Sequence, residues 1–168
     1  MGSLYELSPA ASSWNQTVLY TFEEAAYGNP VGELASDALG NLYGVGAGGV
    51  FELSPSAGAW TEKLIHIFPP SQIDFTPQSG VVFDSAGNLY GTNYYGGPQN
   101  MGVVYKLTPS GGGTWTASDL FAFSGADGAY PTSAVTADAS GNIYGTASGG
   151  GPSNLGGYEG VVYEISVH

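Results

Sequence analysis

Cysteine and arginine are absent from the 168 residues, and lysine appears only as Lys63 and Lys106. The first absence removes disulfides, thiolate zinc sites and cysteine nucleophiles. The shortage of cations excludes more. Fourteen acidic side chains leave a formal net charge of −12, whereas phosphate backbones and anionic lipid surfaces are bound through lysine and arginine. No nucleic acid is expected as a partner. No apolar run approaches the roughly 18 residues that span a bilayer, and Met1-Gly2-Ser3 leads straight into strand-like sequence. Neither membrane insertion nor a signal peptide is therefore expected in this stretch. Histidine is also scarce: His66 and His168 leave a Ser-His-Asp arrangement or a multi-histidine metal centre without material.

What is abundant is glycine (28), tyrosine (12) and proline (10), with 42% hydrophobic and only 10% charged residues. That composition describes short strands joined by tight turns, enough to fill a core, and an all-β fold. The acidity has two readings: solubility for a charge-poor surface, or cation binding.

The chain repeats itself. Trp14, Trp60 and Trp115 recur at 46 and 55 residues, as do Phe22, Phe68 and Phe123, and Asp37, Asp84 and Asp138 recur at 47 and 54. Periods near fifty with strand-like sequence throughout predict β-propeller blades of four antiparallel strands. The whole of 1–168 reads as a single repeat domain, with units at approximately 4–49, 50–102 and 103–160 and a closing strand at 161–166.

Within each unit the strands can be labelled A to D from the inside outwards. A follows a proline (Pro77 to Phe83, Pro131 to Ala137) and B starts at Asn-Leu-Tyr-Gly (Asn88 to Thr92). C is Val103 to Leu107, echoed by Val50 to Leu53 and Val161 to Ile165, and D runs from Trp to Phe (Trp115 to Phe123). Asp-x-x-Gly-Asn joins A to B: glycine supplies the positive φ of a tight hairpin, while Asp and Asn side chains bond nearby backbone N–H groups. Ser-Pro or Thr-Pro joins C to D, with proline expected to end strand C. The repeated Trp and Phe read as core between blades.

In chain order the strands run C-D, A-B-C-D, A-B-C-D, A-B-C. About three blade equivalents per chain cannot close a ring. Two copies could close a six-bladed ring by homodimerisation, the D strand around Trp14 to Phe22 completing the A-B-C of the partner. A redundant C strand, Leu4 to Leu7 beside Val161 to Ile165, spoils the count by one and implies either displacement at the closure or a piece of a longer array.

Gly87 to Gly97, Gly102 to Pro109 and Phe123 to Pro131 together resemble a known family, the extracellular GloVer-type tandem repeats of bacteria. The likeness extends over nearly the whole chain, although the first unit departs with Val45 in place of Thr and Glu23-Glu24 in place of Ser-Gly. It implies propeller repeats and secretion or surface display in a large protein. It carries no catalytic residues to transfer.

The A–B and C–D connections are short and repeated, whereas the D–A and B–C connections at the opposite end vary, and unequal loops on a repeated scaffold are where function concentrates. That end carries Tyr27, Tyr94, Tyr95, Gln99, Asn100, Tyr130, Asn154, Tyr158 and Glu159 as candidate ligand-binding residues, with Phe75 nearby. Aromatic faces suit sugar C–H surfaces, and amides and carboxylates suit hydroxyls, so a neutral glycan or a surface partner is the leading expectation. The bland alternative is that the tyrosines cover the rim and the acids are solvated. Calcium is a candidate cofactor at Asp74 and Asp127, with Glu23 and Glu24 in the corresponding loop, since hard cations take oxygen ligands. The same four carboxylates, Asp74, Asp127, Glu23 and Glu24, are the only catalytic candidates, for a glycoside hydrolase or lyase using a carboxylate pair. A third reading is a purely structural, self-assembling scaffold.

Overall fold

A computed structural model of the chain describes residues 2–22, 29–46, 48–68, 77–151 and 159–166. All regular elements among these are β-strands, arranged in four antiparallel sheets. The first sheet is the hairpin of β1 (Ser3–Pro9) and β2 (Trp14–Thr21). The second has the order β3 (Val31–Ser36), β4 (Leu42–Gly46), β5 (Gly49–Ser56), β6 (Ala59–Ile67). The third repeats it with β7 (Val82–Phe83), β8 (Leu89–Asn93), β9 (Val103–Gly111) and β10 (Thr114–Ala122). In the fourth, β11 (Ala129–Pro131) and β12 (Thr136–Ala137) share one edge of β13 (Ile143–Gly149), and β14 (Val161–Ile165) pairs with the other.

The strand sequence is the one the repeat implied, and each full sheet takes its first two strands from one repeat unit and its last two from the next. Side chains alternate between faces along each strand, so every strand of a middle sheet contributes to two cores. Leu89, Tyr105 and Leu107 pack against Tyr43, Val45 and Val50 of the second sheet, while Tyr90 and Val104 pack against Ile143 and Ala147 of the fourth. Phe22, Phe51 and Leu53 form the third cluster, with Leu4, Tyr20, Leu42, Trp60 and Leu64 around it. The recurring tryptophans are not core, contrary to expectation: Trp14 is 66% exposed and Trp60 and Trp115 are only partly buried, since they lie near the start of outer edge strands that have a single neighbour. The recurring Phe22, Phe68 and Phe123 are buried, as expected. His66 belongs to the same packing, edge-on to Phe68 at 5.2 Å and tilted over Tyr105 at 6.4 Å. Burial pushes its imidazole pKa down, and nearby Asp119 acts in the opposite direction.

Two further details differ from expectation. The first strands are shorter than Pro77 to Phe83 and Pro131 to Ala137, reduced to β7 and split into β11 and β12. Here neighbouring sheets meet backbone to backbone: Gly80 has no room for a side chain against the Glu33 carbonyl, nor Gly32 against the Gly80 nitrogen. Hydroxyl contacts stand in the gap, Ser79 to Thr92 at 3.1 Å and Ser133 to Thr146 at 2.9 Å. The other detail is that proline does not end the third strand. Pro55 and Pro109 lie inside β5 and β9, past the last pairs with the second strand at Leu42–Leu53 and Leu89–Leu107. The strand has one neighbour there, where a missing N–H is tolerated.

Candidate functional site

The two ends of the sheets are built differently. At one end Asp37, Asp84 and Asp138 each organise the same turn. One Asp84 carboxylate oxygen accepts the Ala86 and Asn88 backbone N–H groups at 2.8 and 2.9 Å; the other accepts Asn88 Nδ2 at 2.7 Å and the Tyr90 hydroxyl at 2.9 Å. Asp37 holds Leu39, Asn41 and Tyr43 in the same way, and Asp138 holds Ser140, Asn142 and Tyr144. Gly40, Gly87 and Gly141 supply φ values of 84°, 81° and 88°. Burial pushes the Asp84 carboxyl up, but hydrogen bonds from Asn88, Tyr90 and Ala86 outweigh it and hold the pKa below the usual range. Tyr90 is raised to about 12 by burial and then by Asp84. With both oxygens occupied, these carboxylates are turn braces, as the sequence implied.

At the opposite end, Tyr94 and Tyr95 follow β8, and Tyr130 sits in β11. The structure brings all three together. Tyr94 and Tyr130 stack at 5.0 Å with 21° between planes, Tyr95 meets Tyr94 edge-on at 4.7 Å, and Tyr95 meets Tyr130 at 5.8 Å and 76°. All three are half-buried, so the cluster is anchored yet reaches solvent.

Its placement has a backbone cause. Tyr130 adopts a φ of 59°, and Asn29, at the corresponding position before a proline in the first repeat, has a φ of 90°. Asparagine tolerates this left-handed region; tyrosine does so at a cost on the order of 1 kcal/mol or more. Two bonds hold Tyr130 there, from its N–H to the Met101 carbonyl at 2.7 Å and from the Ser148 hydroxyl to its own carbonyl at 2.8 Å. Strain of this kind is sustained where surrounding structure fixes it, often at a site.

The other described candidates divide. Asn100, with a φ of 54°, accepts the Gly96 N–H on its side-chain oxygen at 2.9 Å, while its own N–H donates to Gly97. It therefore shapes the loop that presents the tyrosines. Gln99 is exposed at the tip. Asp127 accepts the Ser124 N–H and hydroxyl, both at 2.8 Å, which gives it a loop-bracing role like that of the turn aspartates. Glu159 is exposed and lines an open cleft of about 350 Å³ with Thr132, Thr146, Ser148 and Val162. That cleft lies on the outer face of the fourth sheet. Glu23, Glu24, Tyr27, Asp74, Phe75, Asn154 and Tyr158 lie outside the described residues.

Among the described residues, no three His, Asp or Glu side chains converge on one point. Sequence reasoning missed the cleft's hydroxyl lining and the link from Ser148 to Tyr130. A tyrosine immediately before a proline, where the first repeat has asparagine, was the one signal of the strained position.

No curated protein matches the chain. A family model for the Gloeobacter/Verrucomicrobia repeat matches residues 1–163, nearly the whole length and all four sheets. The chain belongs to the Gloeobacter/Verrucomicrobia repeat family.

Proposed function

We propose that this chain is a non-enzymatic binding module of an exported or surface-displayed protein, that its sheets are propeller blades which two copies close into a six-bladed ring, and that it binds a neutral extracellular glycan through the variable loops. The observation that carries the binding reading is the Tyr94–Tyr95–Tyr130 cluster, held partly open by a strained backbone at the end of the sheets where the loops differ. Rings with one face supported by a neighbour and another available to solvent suit the C–H faces of a sugar. The exposed Gln99 amide, and the Asn100 NH2 beside its engaged oxygen, are near in sequence and can serve its hydroxyls. The lack of arginine and near lack of lysine argue against an anionic ligand. The engagement of Asp127 with Ser124 disfavours it as half of a catalytic carboxylate pair.

The test is a broad neutral glycan array probed with the wild-type chain and with Tyr94→Ala and Tyr95→Ala. Binding by the wild type that falls at least tenfold in each variant, with the far-ultraviolet spectrum unchanged, is expected. Silence of the folded wild type across the array rejects the glycan, and polysaccharide cleavage with release of product rejects the non-enzymatic reading.

A further inference from the structure

The two junctions between the second, third and fourth sheets show what a finished junction contains, and the two ends of the stack each lack part of one. Val50 and Val104 are 0% exposed beneath the next sheet, whereas their equivalent in the fourth sheet, Val162, is 82% exposed. Val45 and Thr92 are likewise fully buried, but Thr146 at the same position is exposed in the wall of the cleft. The fourth sheet also stops one strand short: among the described residues β14 pairs only with β13, where β5 and β9 each have a second neighbour.

The other end has the converse deficit. The β1–β2 hairpin covers the outer strands of the second sheet but not the inner ones. Leu34 is 40% exposed, although its equivalents Val81 and Val135, covered by complete sheets, are 2% and 3%. Leu42 is half-buried where Leu89 and Ile143 are 0% exposed. Among the described residues, one end therefore has an inner half-sheet with nothing to cover, and the other has an inner half-face with nothing covering it.

The strand β1 shows how they meet. Its core, Leu4-Tyr5-Glu6-Leu7, matches Val162-Tyr163-Glu164-Ile165 of β14 in side-chain character at every position. On β2 it pairs Tyr5 with Val18, Glu6 with Thr17 and Leu7 with Gln16. That is the register of Tyr105 with Asp119, Lys106 with Ser118 and Leu107 with Ala117 inside the third sheet. β1 is thus a stand-in for a third strand, and it is weakly held, since Tyr5 and Leu7 are about half exposed at 50% and 52%.

We infer that two copies of this chain exchange strands: β14 of each displaces β1 from β2 of the other, forming a composite sheet β11/β12–β13–β14–β2. The inference rests on the propeller reading and names its closing junction. Glu164 takes the place of Glu6 opposite Thr17 of the second copy. Val162 replaces Leu4 over the second sheet, and β12 and β13 cover Leu34 and Leu42. The unpaired edge of β14, the open outer face and the uncovered inner half-face are all resolved by this one exchange. Swapping an equivalent element between protomers costs little because each contact has an internal counterpart. The rival occupant of β1's place is β1 itself, and in that case the chain keeps its hairpin.

The absence of cysteine makes the test clean. Native mass measurement of the wild-type chain comes first: a dimer is expected, and a folded monomer at tens of micromolar overturns both the ring and the exchange. Two double variants then separate the two ideas, because directly opposed residues in antiparallel strands stand close enough for a disulfide. Thr17→Cys/Glu164→Cys is expected to give a reducible covalent dimer in most of the material on mild oxidation, while each single variant gives little. Glu6→Cys/Thr17→Cys is expected to close poorly within one chain. If the second variant instead forms its internal disulfide efficiently in a dimer that the first fails to cross-link, the exchange is overturned and dimerisation by another surface stands.

Discussion

The two ends of the strands meet the same requirement, reversing the chain, by opposite means. At the turn end three repeats use one solution, an aspartate whose two oxygens satisfy two backbone N–H groups, an Asn amide and a Tyr hydroxyl. At the loop end no two repeats agree: the second extends through Tyr94, Tyr95 and Asn100, the third places a strained Tyr130 against them, and the first has Asn29 at the position of Tyr130. Repetition marks what the fold needs three times, and departure from it marks what is needed once. The contrast predicts that changes at the turn end are read out in stability and changes at the loop end in binding.

The largest effect is expected from Asp84→Ala. It removes four hydrogen bonds, two from backbone groups in a tight hairpin. At about 1 kcal/mol for each net bond, discounted for contact with water, the loss is about 2–3 kcal/mol. For a chain of this size that corresponds to a fall in Tm of roughly 5–10 °C, measurable by calorimetry. Asp127→Ala at the other end removes two bonds from an exposed loop and is expected to cost less than about 1 kcal/mol. If the two substitutions cost the same, the division between the ends fails.

Next in size is a gain. Tyr105 and Tyr163 press their buried hydroxyls onto Gly91 and Gly145 with no hydrogen-bond partner among the described residues, and Phe51 fills the same place over Gly44 in the second sheet. Tyr105→Phe removes an unsatisfied polar atom while keeping the ring, and is expected to stabilise by about 1 kcal/mol. A destabilised variant would mean that the hydroxyl has a role that geometry does not reveal.

Titration separates the same groups. Burial raises Tyr163 to about 12, and burial followed by Asp84 raises Tyr90 to about 12. An unfolded tyrosine ionises near 10, so between about pH 10 and 12 the unfolded chain gives up protons that the folded chain keeps. Stability is full below about pH 10 and falls as pH rises toward 12. The turn aspartates act in reverse: with folded pKa values below the ordinary one, their contribution is present above about pH 4 and is lost as pH drops through the folded values. Burial pushes Tyr105 up as well, so denaturant midpoints across pH 3–11 are expected to show a plateau with both shoulders, and Tyr105→Phe is expected to flatten the alkaline one.

Much of the fold was legible because it is written three times. The Asp-Gly-Asn-Tyr spacing located every turn between the first and second strands of a sheet, and the Trp-to-Phe intervals located every last strand. The first strands of the third and fourth sheets were legible only in position. The shortening of β7 accompanies the approach of Gly32 to Gly80 between sheets, a contact between residues nearly fifty apart with no local pattern. At the candidate site, sequence placed Tyr94, Tyr95 and Tyr130 at one end but could not show that their rings touch. That depends on Tyr130 crossing from the fourth sheet to the third through its bond to Met101. Asn100 and Asp127 appeared as free polar groups in the sequence, and only the folded loops reveal that their oxygens are already engaged.

The smallest expected change in stability is the most informative for the loop end. Tyr130→Asn places at this position the residue that the first repeat already uses there at a φ of 90°. Relief of the backbone strain is worth about 1 kcal/mol, and loss of the stack on Tyr94 costs about 0.5–1.5 kcal/mol, so the two nearly cancel and Tm should move by no more than a few degrees. Ligand affinity has no such compensation, since asparagine offers no ring. A variant as stable as the wild type that no longer binds would show that tyrosine is kept at a strained position for its aromatic face. If stability instead collapses, the three rings are a structural cap on the sheets, and the contrast between the two ends narrows to one of regularity alone.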